Sequence, residues 1–183
     1  MAHIEPILFF KWVKTIHPEY FRDSRVLDVG SLDINGSNKF LFYNCDYIGV
    51  DLAEGDNVDV ICKAHEYDGQ PFDTVISSEC FEHDMYLEKT LENIVRLLKP
   101  GGLFTFSCAS RKRPEHGTVE HHPGGSPFTS QIPEWCNYYK GLEEEDVREL
   151  MDVDGIFQHH IFKLHDTEGK IRVNDLYFYG IKN

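Results

Sequence analysis

Arg25-Val26-Leu27-Asp28-Val29-Gly30-Ser31-Leu32-Asp33-Ile34-Asn35-Gly36 is the stretch whose reading decides the fold. Val26, Leu27 and Val29 predict a short buried strand, and Gly30 lets the backbone turn closely where a Cβ would obstruct a ligand. Asn35-Gly36 marks a second turn, and Gly36-Ser37 can open a short helix. A strand, a glycine turn and a helix start make the first unit of a nucleotide-binding α/β fold. Tyr47-Ile48-Gly49-Val50-Asp51 is a second apolar strand, and its terminal acid lies 23 positions after Asp28. That is about the spacing at which a carboxylate meets ribose hydroxyls in dinucleotide folds.

Working outward, Ile4, Leu8, Phe9, Trp12, Val13 and Ile16 fall at helical spacing within residues 1–20, and Pro18 ends that helix. Phe9 and Trp12 are read as core packing against the sheet. Residues 36–43 have room for a short helix, and 58–62 predict a third strand. Phe72 to Ser78 is apolar or small throughout, as a central parallel strand should be. Leu87, Leu91, Ile94, Val95 and Leu98 give one helix face, with Asp84 placed to charge its start. Lys99-Pro100-Gly101-Gly102 stops the helix and leads into a fifth strand, Leu103 to Ser107. Strands alternating with helical stretches argue for right-handed crossovers and a parallel sheet. Residues 109–141 are rich in Pro, Gly, His, Ser and Thr, and a loop of that length in one domain carries function or moves. A helix over 143–151 and strands over 156–164 and 173–182 complete the chain.

The 183 residues fit one domain with a sizeable core, and 41% hydrophobic and 13% aromatic residues describe a soluble globular protein. No apolar run approaches the roughly 20 residues that span a bilayer. Ile7 to Phe10 is broken by Lys11 and Lys14, which argues against a signal peptide. The five cysteines are odd in number and form no Cys-x-x-Cys, so reduced thiols in a cytoplasmic protein are expected. A formal net charge of −13 disfavours a wide phosphate-binding surface, and no nucleic-acid partner is expected. Arg111-Lys112-Arg113 is the one basic cluster; it suits an anionic substrate group or, more commonly, solvent.

Asp28-x-Gly30-Ser31, Asp51, Phe72-Asp73-Thr74-Val75-Ile76-Ser77-Ser78-Glu79, Glu82-His83 and Leu97-Leu98-Lys99-Pro100-Gly101-Gly102 occur in one order. Together they resemble a class I S-adenosylmethionine (SAM)-dependent methyltransferase with Glu-His after strand four. Leu32 and Ile34 stand where that family's loop has its second and third glycines. The resemblance implies a doubly wound, mostly parallel seven-stranded Rossmann-like sheet with an antiparallel C-terminal strand pair. It also implies SAM as cofactor and a site at the carboxyl ends of the strands. Asp28, Gly30, Ser31, Leu32, Asp51, Leu52, Ala64, His65, Ser78 and Glu79 are the cofactor-side candidates. Asp51 is the acid for the ribose, and Lys63 occupies the place where an acid for the adenine amino group would be sought.

Glu79, Glu82 and His83 would share one face if a helix began there, and with His116, His121 or His122 they could make a mixed oxygen and nitrogen metal site. Glu-His after strand four also occurs in metal-free relatives, where it positions helix and cofactor. The metal-free reading is adopted, and no metal ligand is assigned. Catalytic candidates are His116, His121 and His83, since imidazole titrates near neutral pH. Tyr138 and Tyr139 are expected as pocket wall and residues 109–141 as an acceptor lid.

The expected activity is methyl transfer to an oxygen or nitrogen of a small-molecule or sugar-like acceptor. The alternative is an inactive SAM-binding or protein-interaction module. An NAD-binding domain is the poorer third reading, because Gly-x-Gly-x-x-Gly is absent. Acceptor identity and oligomeric state are not written in the sequence.

Overall fold

Period-two alternation sorts the apolar side chains onto the two faces of one sheet. Leu27, Val75, Phe104 and Phe178 belong to one buried cluster, and their neighbours Val26, Ile76, Leu103, Tyr177 and Tyr179 to another. The computed structural model describes residues 4–165 and 174–183. Its strands are β1 (Arg25–Val29), β2 (Asp46–Asp51), β3 (Val60–Ile61), β4 (Phe72–Ser78), β5 (Leu98–Ala109), β6 (Phe157–His165) and β7 (Asp175–Lys182). They lie in the order β3-β2-β1-β4-β5-β7-β6. The first five pair in parallel, and β7 runs antiparallel to both β5 and β6. This is the sheet that the sequence leads one to expect.

Helices cover both faces. Helix α1 (Ile4–Ile16) contributes Phe9, Phe10 and Val13 to one cluster, joined by Phe21 and Leu41 from short 3-10 turns. Helix α2 (Leu87–Leu97) places Leu87, Leu91, Ile94 and Leu97 in the other, with Val147 from α3 (Glu144–Leu150) and Val153 from α4 (Val153–Ile156). Phe9 stacks on Tyr177 at 4.8 Å, so core packing describes it well, whereas Trp12 is 41% exposed.

Some boundaries move, for local reasons. The third strand spans two residues rather than 58–62, because residues 55–58 form a turn. Val58 N–H donates to Gly55 O, and Asn57 sits at φ +70°. The short helix expected over 36–43 is a 3-10 turn, Asn38–Leu41, whose cap Ser37 accepts from Lys39 N–H. The fifth strand begins at Leu98, which pairs with Phe72 before the register shifts. The final strand begins at Asp175; residue 173, where it was expected to start, lies outside the described residues.

Chain order reverses between β1 and β4: β2 and β3 build outward on one side, β5 on the other. Such a reversal opens a crevice beyond the carboxyl ends of the two central strands.

Candidate active site

A cavity occupies that crevice, walled by the segments that follow β1, β2 and β4 and by the long loop after β5. On the β1 side Gly30 adopts φ +75°, and a Cβ there would run into Cys80 Sγ. Only glycine lets the first turn lie this close to the end of β4. Gly30 and Ser31 N–H both donate to Val50 O, locking the turn to β2. Asp51 ends β2 and faces the cavity. Its two oxygens accept from Leu32 N–H at 3.0 Å and Leu52 N–H at 2.7 Å. Burial raises its pKa, and these backbone donors oppose the rise.

Asp28 is buried and accepts from the Tyr47 hydroxyl at 2.6 Å and from Asn57 Nδ2 at 3.3 Å. Burial, reinforced by the charge of Asp51, pushes its carboxyl up to about 7, while Tyr47, Asn57 and Lys39 hold it down. Asp28, Gly30, Ser31, Leu32, Asp51, Leu52, Ala64, Ser78 and Glu79 all line the cavity. His65 does not. Its ring packs on Tyr86 at 4.8 Å and its Nε2 lies 3.8 Å from Glu66. Lys63 projects over the same Tyr86 ring.

No helix begins at the end of β4. Glu79 sits at φ +54°, a left-handed conformation that no helix continues through. Phe81–His83 then form one 3-10 turn, and α2 starts at Leu87, after Asp84 has bonded Tyr86 N–H and the Thr90 hydroxyl. Glu79, Glu82 and His83 therefore do not share a helix face. Glu79 turns instead to Arg113, which also donates to Asp175 at 2.6 Å. Arg113 is buried, and Arg111 pairs with Asp146 at 2.7 Å, so two members of the basic triplet serve carboxylates of this chain.

Glu82 is fully buried, and burial with the nearby Glu79 charge pushes its carboxyl up to about 8. His83, 4% exposed, is driven down to about 3 by burial first, and then by the adjoining His116 imidazole and the Arg113 charge. Both are held from behind: Glu82 O accepts from Lys140 N–H, and His83 O from Trp135 Nε1 at 2.5 Å.

The loop over 109–141 folds across the cavity and contributes Arg113, His116, Ser126, Phe128, Thr129 and Trp135 to its lining. His83 and His116 meet edge to face, ring centroids 5.0 Å apart. His121 is not brought to the cavity; it is exposed and bonds Glu115 at 3.0 Å. Tyr139 packs behind His83 and His116 and donates to Arg113 O, and neither it nor Tyr138 is part of the lining. Cys80, next to Ser78 and Glu79 at the end of β4, lines the cavity too, whereas sequence reasoning did not single out Asp175 as a partner of Arg113. Nothing in the local sequence signals that pairing.

The methyltransferase-domain family model matches residues 1–151, most of the chain. The chain belongs to the methyltransferase-domain family. No curated protein matches it. Solved structures share the domain's fold at low identity. One is the Haemonchus contortus phosphoethanolamine N-methyltransferase 2 in complex with phosphomonomethylethanolamine and S-adenosylhomocysteine: 19% identity, TM-score 0.63, covering 94% of this chain and 52% of that one. Another is the Burkholderia thailandensis 1,6-didemethyltoxoflavin-N1-methyltransferase with 1,6-didemethyltoxoflavin and S-adenosylhomocysteine: 17% identity, TM-score 0.59, covering 100% and 92%. A third is the Synechocystis magnesium protoporphyrin IX methyltransferase with SAM: 12% identity, TM-score 0.62, covering 98% and 78%. This methyltransferase domain spans about half the length of the Haemonchus chains. No described helix is long and apolar enough to cross a membrane.

Proposed function

We propose that residues 1–183 form one SAM-dependent methyltransferase domain acting on an oxygen or nitrogen of a small-molecule or sugar-like acceptor. One observation carries the reading: the Asp51 carboxylate, oriented by two backbone N–H groups, stands in a crevice at the strand-order reversal beside a glycine turn. A carboxylate so held can accept two hydroxyl bonds from a ribose. The cavity fits the cofactor in other respects. Asp28, Glu79 and Asp84 give it an acidic wall for a cationic ligand, and the buried Ser31 hydroxyl has no partner among the described residues.

SAM, when bound, supplies a methyl group on a sulfonium for in-line displacement. The chain's own part is to align the acceptor, exclude water and steer a proton. Asp51 holds the ribose; Gly30, Ser31, Leu32, Leu52, Ala64 and Ser78 shape the cofactor side. Residues 109–141 serve as the acceptor lid, with Phe128 and Trp135 as apolar wall. His83 and His116, neutral imidazoles in the cavity lining, are assigned to the acceptor side and to the handling of its proton. The neighbours named for phosphoethanolamine and 1,6-didemethyltoxoflavin support a small acceptor.

The test is calorimetry with S-adenosylhomocysteine, followed by labelled SAM with a panel of small hydroxyl and amine acceptors. Binding and transfer together support the reading. Binding without transfer across the panel favours the inactive module, and absence of binding overturns both.

A further inference from the structure

Behind the wall that His83 and His116 form, four buried polar atoms have no hydrogen-bond partner among the described residues: both oxygens of Glu82 and both ring nitrogens of His83. Buried polar groups are rarely left so, and an unpaired group asks for a ligand to explain it. His116 completes the arrangement. Its Nδ1 lies 3.1 Å from Pro114 O, and since a carbonyl only accepts, Nδ1 carries the proton. The lone pair of the neutral ring is then on Nε2, which lies 3.9 Å from Glu82 Oε1. One ligating atom from each of Glu82, His83 and His116 lies within 4.8 Å of the other two. We propose that these three side chains bind one divalent first-row transition ion at the acceptor end of the cavity.

Charge argues for it independently. Glu79, Glu82 and Asp175 gather around one guanidinium, Arg113. Arg113 is taken up by Glu79 and Asp175, so Glu82 is left without a cation in contact. With all groups ionised the cluster lacks two positive charges, the charge of the proposed ion. Donor type then selects the metal. Two imidazoles and one carboxylate suit zinc, iron or manganese rather than magnesium or calcium, which prefer all-oxygen shells. The backbone hydrogen bond of His116 Nδ1 is the outer support that fixes a ligating ring. Gly117, at φ +70°, leaves room for the His83 ring, which a Cβ there would strike. Ligand bonds of about 2.0–2.2 Å require the three groups to draw together by roughly an ångström.

Three protein ligands leave positions open toward the cavity. The ion would there coordinate an acceptor oxygen and lower its pKa, so that a hydroxyl or similar oxygen donor is the acceptor class. This role, though not the binding, rests on the methyl-transfer reading above.

The experiment strips the full chain with EDTA and titrates Zn²⁺ and Mn²⁺ by calorimetry, with Co²⁺ absorption as a spectroscopic probe. One ion per chain is expected. Affinity should drop at least tenfold in Glu82→Gln and in His116→Ala, and should not change in His159→Ala, an exposed histidine on β6. Circular dichroism establishes that each variant is folded; should Glu82→Gln fail that check, His116→Ala and the Co²⁺ spectrum of the parent decide. Absence of stoichiometric binding, or binding indifferent to the site substitutions, overturns the proposal. S-adenosylhomocysteine binding is measured in parallel: intact binding without an ion site sinks this proposal alone, and the converse sinks the transfer reading alone.

Discussion

The two ends of the cavity solve opposite problems. At the β1–β2 end every carboxylate is matched locally: Asp51 has the N–H groups of Leu32 and Leu52, and Asp28 has Tyr47 and Asn57. At the β4–β5 end charges are buried with too few partners, and those they have come from far along the chain. Arg113 reaches Glu79 and Asp175, while the Glu82 carboxylate and the His83 ring find no hydrogen-bond partner among the described residues. The first end is a finished cradle whose geometry persists without a ligand. The second stores electrostatic cost and is suited to a charged occupant.

The strongest way to break this contrast is to remove the one cation of the second end. Arg113→Ala leaves Glu79 and Asp175 buried together, and stability should fall by about 3–5 kcal/mol in urea unfolding. A loss under about 1 kcal/mol would mean that the cluster is wetter than its burial indicates. At the first end, Asp51→Ala should weaken S-adenosylhomocysteine by about 2–4 kcal/mol through the loss of two charge-assisted bonds, with folding little changed. Unaltered affinity in calorimetry would remove the ribose from this position.

A subtler contrast sharpens the picture through pH. Asp28 is held at about 7 in the folded chain, against roughly 3.9 when unfolded. The folded state thus keeps a proton that the unfolded state releases, and its stabilising effect is lost as pH rises from about 4 to 7. The groups facing it, Asp51, Lys39, Tyr47 and Asn57, are the same in Asp28→Asn. Between pH 5 and 7.5 the parent should lose on the order of 5 °C more in Tm than this variant. Parallel melting curves would show that Asp28 is solvated. The smallest effect is expected behind the histidines: Tyr139→Phe deletes the bond to Arg113 O and should cost about 0.5–1.5 kcal/mol.

The same contrast explains what the sequence made legible. Gly30, Ser31, Asp51 and the strands around them are specified by patterns a few residues long, so alternation and turn chemistry suffice to find them. The β4 end is set by tertiary partners. Arg111-Lys112-Arg113 looks like a solvated triplet until Asp175, 62 positions later, is seen to hold Arg113. His116 and His121 look equivalent in sequence. The contact of His116 Nδ1 with Pro114 O and the left-handed Gly117 turn one into the cavity and leave the other on Glu115. A helix beginning at Glu79, the condition for a shared face with Glu82 and His83, fails on a single backbone angle, where Glu79 N–H bonds Ser107 O on β5.

The bond from Trp135 to His83 has a practical corollary. The chain holds two tryptophans: Trp12 is half out in solvent, whereas Trp135 is buried in the cavity wall, edge-on to Tyr86. Their emission should separate into a red, water-exposed component and a blue, shielded one. Anything that enters the cavity or displaces the His83 carbonyl will alter the blue component alone. Trp12→Phe therefore turns the protein into its own optical indicator of occupancy, readable before any acceptor is known.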